Sequence, residues 1–281
     1  MVPALSPSRA ADFKQCPLLY RFRTIDKIEG PPSPAAARGT LVHSVLEHLF
    51  DLPADERTPE AAVALLEPRW SALVEERPEL ATMIQDSAEL DEASWFSDAA
   101  TLVQRWFTLE DPTLLEPAER ELYVETQLDG LTLRGYVDRL DVSPDGLIRV
   151  VDYKTGRSPG ERFENKALFQ MKFYALVLWR LHGRIPNLLQ LVYLGNSEIV
   201  RYVPDEHDLR ALERNIQAVW AAIVRAAETG DWRPSTSALC TWCDFRDLCP
   251  EFGGTPPPLP PNAALIALDP NVSGEVDPGD D

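Results

Sequence analysis

The 281-residue chain reads as a mixed α/β domain with one central sheet flanked by helices, and three observations lead there. Apolar residues recur at helical spacing through the first hundred positions. From Leu122 the period shortens to two over three consecutive segments joined by tight-turn sequences. A helix, a strand and a long helix then follow. With 44% hydrophobic residues and seven tryptophans, the chain has ample material for a core of that size.

Ser6 to Phe22 reads as a helix opened by a Ser-Pro cap signal, with the basic residues Arg21, Arg23 and Lys27 at and beyond its end. Gly30 to Gly39 is a Pro/Ala linker. Thr40 to Phe50 is an amphipathic helix with Leu41, Val45, Leu46 and Leu49 on its apolar side. Residues 59–109 predict two or three helices with acidic outer faces and buried Trp70, Trp95 and Trp106, within a helical insert of about 51–118. Leu122 to Leu128 is a strand, Asp129-Gly130 a hairpin signal, and Leu131 to Val142 a second strand. Pro144-Asp145-Gly146 turns the chain into a third strand, Leu147 to Tyr153. Ala167 to Leu181 is a helix, Leu188 to Leu194 a strand, and Asp208 to Thr229 a long helix. The domain closes near residue 252. From Gly253 to Asp281 there are seven prolines and an acidic end, a composition that predicts a flexible tail.

No basic stretch followed by an apolar core opens the chain, and no apolar run reaches the length of a membrane span. A cytoplasmic protein with no membrane partner is expected. In that reducing compartment grouped cysteines act as metal ligands rather than disulfides. The net charge of −18 excludes a protein that grips nucleic acid mainly through a basic surface. The acid is uneven, however: residues 51–126 hold five Lys/Arg against nineteen Asp/Glu, whereas 127–200 hold ten against eight. A nucleic-acid path could run along the second segment.

The four cysteines fall at Cys16 and, more than two hundred residues later, at Cys240, Cys243 and Cys249. Such a distribution suits a clasp that ties both ends of the domain to one metal centre. Prolines follow Cys16 and Cys249, as beside iron–sulfur ligands; four thiolates suit zinc as well.

Gly135-Tyr136-Val137-Asp138 and Val150-Val151-Asp152-Tyr153-Lys154 sit on the second and third strands. A tight turn between antiparallel strands brings Asp138 and Asp152 to one end of the sheet. The period of two sends Asp152 and Lys154 to one face and Tyr153 to the other. Carboxylates converging in this way are costly unless a hard divalent cation lies between them, with the lysine offsetting charge on a phosphate. An isolated Asp-x-Lys is also an ordinary surface ion pair. His43 with Glu47 at i+4, and Gln170 with Tyr174 at i+4, add two polar helix faces, and Thr155-Gly156 turns the chain sharply away after Lys154.

Ser6-x-Ser8, Cys16-Pro17-x-x-Tyr20-x-x-Arg23, Gly39-x-x-x-His43, Gly135-x-x-Asp138-Arg139, Asp152-Tyr153-Lys154-Thr155-Gly156, Gln170-x-x-x-Tyr174 and the three-cysteine run occur in that order. Together they resemble the RecB-type branch of the PD-(D/E)XK nuclease superfamily, in the group with an iron–sulfur clasp. That group includes the AddB nuclease domain and CRISPR-associated single-strand exonucleases. The resemblance covers Leu5 to Phe252 and implies a restriction-endonuclease-like mixed sheet. It implies His43, Asp138 and Asp152 as Mg2+ or Mn2+ ligands, helped by a main-chain carbonyl near Tyr153, and Lys154 as the catalytic lysine. It implies Gln170 and Tyr174 along the site or DNA path, and Cys16, Cys240, Cys243 and Cys249 as ligands of a 4Fe-4S cluster. Glu121 and Glu125 are both placed to match an upstream glutamate. Arg21, Arg23, Lys27, Arg157, Arg162, Lys166 and Lys172 flank the site as candidate phosphate contacts. No Gly-x-x-x-x-Gly-Lys-Ser/Thr loop is present, so unwinding falls to a helicase or other repair partner, or the substrate is already single-stranded. The implied activity is a metal-dependent exonuclease on single-stranded DNA or DNA ends, in repair or recombination. The alternatives are an iron–sulfur DNA-binding or scaffold protein with little turnover, and a zinc-clasped interaction protein.

Overall fold

A computed structural model describes residues 2–31, 33–85, 91–158 and 164–269. In chain order, β1 is Ala4–Leu5, α1 Pro7–Gln15, α2 Pro17–Tyr20 and α3 Pro34–Leu49. Four helices follow: α4 (Pro59–Ala64), α5 (Leu66–Glu76), α6 (Glu79–Gln85) and α7 (Glu92–Trp106). Then come β2 (Glu119–Leu128), β3 (Leu131–Val142), β4 (Ile148–Lys154) and α8 (Glu164–His182). The chain continues through β5 (Leu188–Tyr193), β6 (Glu198–Tyr202), α9 (Glu206–Thr229) and α10 (Ala263–Leu268). No helix among the described residues is long and apolar enough to cross a membrane.

The sheet is mixed. β2 runs antiparallel to β3 from Leu131 to Leu140 along one edge. The other edge of β3 is shared: β1 pairs in parallel at Thr132 and Leu133, and β4 pairs antiparallel from Arg139 to Val142. β4 continues to β5 in parallel, with α8 as the crossover, and β6 closes that side antiparallel. Between Leu133 and Arg139 neither β1 nor β4 reaches β3, and the sheet opens into a fork.

Both faces are covered. One core layer packs α8, α9 and α10 on Leu133, Val137, Val150 and Leu191. The other packs α3 to α7 on Val151, Tyr153 and Val192, and contains all three tryptophans expected to be buried, Trp70, Trp95 and Trp106. Beneath this second layer lies a polar knot. Arg139, 1% exposed, is gripped by both carboxylate oxygens of Glu110 at 2.8 and 2.9 Å, and it donates to the Tyr153 hydroxyl. Gln190 and the Trp106 indole also donate to Glu110. A buried guanidinium held in a fork on two sides fixes the spacing of β3, β4 and β5.

Several expectations need correction. The helix expected over Ser6–Phe22 is broken at Cys16, which is extended (φ −165°, ψ 119°), because a residue before proline is driven out of the helical region. The linker expected from Gly30 to Gly39 gives way to helix at Pro34. Ser33 caps the Ala36 amide and proline occupies the first turn, so α3 gains six residues. Gly39 therefore lies inside the helix, where an added Cβ would come within 3.3 Å of the Thr155 hydroxyl. The missing side chain lets α3 approach the end of β4. β6 is an additional strand that the sequence pattern does not announce; it returns from β5 through Ser197, whose φ is +53°.

The expected flexible tail holds together through Asp269. Ala263, Ile266 and Ala267 are buried. The Ala267 carbonyl accepts from Arg9 and from the Tyr20 hydroxyl, and Asp269 accepts from the Val2 amide at 2.7 Å. The apolar run Ala263 to Leu268 outweighs the surrounding prolines and packs as the last turn of the core. Residues 270–281 lie outside the described residues.

Candidate active site and metal centre

The fork in β3 creates the site. Beyond the Arg139–Val151 pair, β3 and β4 part, which frees the Tyr153 amide from the ladder. Asp138 supplies the substitute acceptor, with Oδ2 2.8 Å from that amide. Asp138 thus stitches the two strands together and holds a carboxylate at the point of divergence.

Asp152 lies across the fork and is 2% exposed. Its Oδ2 is 2.6 Å from the Lys154 ammonium and makes no well-aligned hydrogen bond. Burial raises the Asp152 carboxyl to about 6, and nearby Asp138 adds to the rise against the pull of Lys154 and His43. Lys154 donates to Gln170 Oε1 at 3.1 Å, and Gln170 Nε2 lies 3.1 Å from the Tyr174 hydroxyl. The i,i+4 pair on α8 therefore reaches Lys154 directly. Tyr174 also packs against Gly135, where an added Cβ would lie 2.7 Å from its ring.

α3 delivers His43, whose Nδ1 is 3.5 Å from Asp138 Oδ2. The Tyr153 ring meets His43 edge-on at 6.0 Å and carries it from below. β2 contributes Glu121. One ligand atom each from His43, Glu121 and Asp138 lie within 4.8 Å of one another. Glu121 is raised to about 7 by burial, then by Asp138, Glu47 and Asp152. It has a left-handed backbone, φ +45°, uncommon for a residue with a side chain. Between the two glutamates left open by sequence, geometry selects Glu121; Glu125 instead accepts from the Tyr123 hydroxyl. The signal that separates them is the register: Glu121 lies between the Arg120–Arg139 and Leu122–Val137 pairs and so falls opposite Asp138.

The candidate phosphate contacts divide. Arg21 is buried and bonds Asp26 and the Pro257 carbonyl, and Lys172 leans over the Tyr202 ring toward Asp208. Both are occupied by structural partners. Arg23, half-exposed, pairs with Asp12 at 2.8 Å. Lys27 and Arg157 are exposed, Arg157 on the loop after β4. Arg162 and the side chain of Lys166 lie outside the described residues.

Cys16, Cys240, Cys243 and Cys249 converge around one cavity with Leu18, Leu19, Phe22 and Phe245. The Ser235 and Ser237 amides donate to the Cys16 and Cys240 sulfurs, each at 3.3 Å. Burial pushes the Cys249 thiol up, and the other three cysteines add to it.

Known proteins resemble this chain along most of its length. The chain is 27% identical over 276 residues to the Gene 69 protein of Mycobacterium phage D29, covering 89% of this chain and 98% of that protein. It is 24% identical over 290 residues to the Gene 69 protein of Mycobacterium phage L5, covering 90% and 98%. A crystal structure from Eubacterium rectale, of a protein provisionally described as an exonuclease, superposes with a TM-score of 0.52 at 15% identity, over 86% of this chain and 87% of that one. At that identity the likeness speaks for the fold alone. The family model of the PD-(D/E)XK nuclease superfamily matches residues 4–250, which takes in the fork, the lysine and all four cysteines. The chain belongs to the PD-(D/E)XK nuclease superfamily.

Proposed function

We propose that this protein is a metal-dependent exonuclease of the RecB-type branch, acting on single-stranded DNA or DNA ends in repair or recombination. One observation carries the reading: Asp138, Asp152, Glu121, His43 and Lys154 arrive from four separate elements at one fork, with the Asp152 Oδ2 buried and poorly bonded.

The donor set fits a divalent cation. Glu121 and Asp138 meet beside His43 with Asp152 close enough to repel both, and Glu121 and Asp152 are held above their ordinary range. That cost is relieved by a hard cation with oxygen and imidazole ligands. His43, Glu121, Asp138 and Asp152 would hold Mg2+ or Mn2+, with the Tyr153 main-chain carbonyl beside them. The ion would supply Lewis-acid polarisation of the phosphate and acidification of a water. Lys154, steadied by Asp152 and Gln170, offers a fixed ammonium to the phosphoryl oxygens, and its position does not have to be found anew at each turnover. Asp138 keeps the two strands at constant spacing while it shares in binding.

The cysteine quartet, gathered from both ends of the domain around one cavity, would hold an iron–sulfur cluster, and four thiolates would suit a zinc ion as well. The two amide donors at the sulfurs also suit a cluster, whose properties respond to such bonds.

End-labelled single-stranded DNA incubated with Mn2+ tests the function. Wild type should shorten the strand from an end, and Asp152→Ala should not. Equal degradation by both would place the chemistry elsewhere. Binding without any cleavage would favour the scaffold alternative.

A further inference from the structure

Two aromatic side chains lie open where the strands around them bury theirs. Tyr136 is 57% and Tyr123 43% exposed. They are register partners across β2 and β3, with rings 5.2 Å apart and inclined at 56°. Tyr136 lies two residues before Asp138 on β3, about 7 Å along the strand. Because neither β1 nor β4 pairs with β3 between Leu133 and Arg139, nothing in the sheet covers Tyr136 on that edge.

The same tyrosine is continuous with the reactive centre. A cleft of about 380 Å3 is lined by Tyr136, Gly135, Phe169, Gln170 and Tyr174. That volume lies in the range of cavities that take small organic ligands, ~300–1,000 Å3. Gln170 in this wall is the residue that bonds Lys154. A chain whose phosphate met Lys154 would pass its neighbouring unit over the Tyr136 ring.

Charge indicates what holds that unit. Glu47, Glu121, Asp138 and Asp152 crowd the centre, and Arg23, the one cation lining the cleft among the described residues, is already paired with Asp12. Stacking of a base on an aromatic face needs no countercharge. Only an unpaired base presents a free face to such a ring.

We propose that Tyr136, backed by Tyr123, is a stacking subsite for a base of single-stranded DNA next to the nucleotide at Lys154. The proposal rests on the nuclease reading given above.

Equilibrium binding in EDTA tests it, by fluorescence anisotropy of labelled oligothymidylate and of an abasic strand of equal length. Tyr136→Ala should weaken oligothymidylate binding about 10-fold and leave the abasic strand unaffected. Tyr136→Phe should bind as wild type does, and Tyr123→Ala, which removes the backing ring, should lose less. Thermal melting of each variant checks that the hairpin remains folded. Equal loss on both strands, unchanged binding, or a wild type that does not distinguish the two strands would overturn the subsite. Cleavage of the same oligothymidylate in Mn2+ is scored separately. Base-dependent binding without cleavage would overturn the nuclease reading and keep the shelf, and cleavage without base-dependent binding would do the reverse.

Discussion

Replacing Asp152 by asparagine should stabilise the protein at neutral pH while it abolishes activity. The folded state holds the Asp152 carboxyl at about 6 against an ordinary 3.8. Below pH 3.8 the group is protonated whether the chain is folded or not. Between 3.8 and 6 the unfolded chain releases its proton and the folded one retains it, so stability falls as pH rises through this window and stays low above it. The displacement corresponds to about 3 kcal/mol, at 1.36 kcal/mol per pH unit. The attraction of Lys154 is already contained in that figure. An asparagine at this position would carry no such penalty, so at about pH 8 Asp152→Asn should melt roughly 6–12 °C above wild type. The two should converge near pH 4. Adding Mg2+ or Mn2+ at the alkaline end should raise the wild-type melting temperature and narrow the gap, because a ligand of the folded state stabilises by mass action. Melting curves from about pH 4 to pH 8, with and without metal, measure all of this. A wild-type-to-variant gap that does not change with pH would refute the reasoning.

Cys16→Ser should lower iron content and thermal stability together, as read by metal analysis and melting, since metal binding at such a site is folding free energy; a variant as loaded and as stable as wild type would remove Cys16 from the centre. Gly135→Ala should cost about 1–3 kcal/mol by overpacking against the Tyr174 ring, where the new methyl would lie at 2.7 Å. Tyr174→Ala in the same chain should recover part of that loss, which denaturant melts of both variants and the double mutant would measure.

Much of the site was legible because its side chains follow strand and helix periods. Asp152 and Lys154 two apart, and Gln170 and Tyr174 four apart, need no tertiary information to share a face, and Lys154 does meet Gln170. The three-stranded meander was equally open to reading, since Asp129-Gly130 adopts the positive φ angles its hairpin requires. Glu121 was undecided because neighbouring glutamates on a strand look alike until the register is fixed. The Arg139–Glu110 pair was invisible: its partners are 29 residues apart, and nothing local marks a charged residue for burial. Cys16-Pro17 and Ser33-Pro34 carry backbone information that the apolar pattern obscures. α10 was hidden for the opposite reason, because a short apolar run among prolines has too little length to declare itself.

The proposed clasp would also impose an order in time. Cys16 and Cys249 are 233 positions apart, and at a synthesis rate of about 5–20 residues per second roughly 12–50 s separate their emergence. During that interval His43, Glu121, Asp138, Asp152 and Lys154 have all been made, yet α1 and α2 have no C-terminal segment to rest on. A metal centre built from both ends of the domain would therefore act as a completion signal, and a nascent or truncated chain carries every reactive residue without the C-terminal segment that closes on Leu18, Leu19 and Phe22. Such long-range closure makes folding slow, and it would tie the seating of α1 and α2 to the last part of the domain to be synthesised.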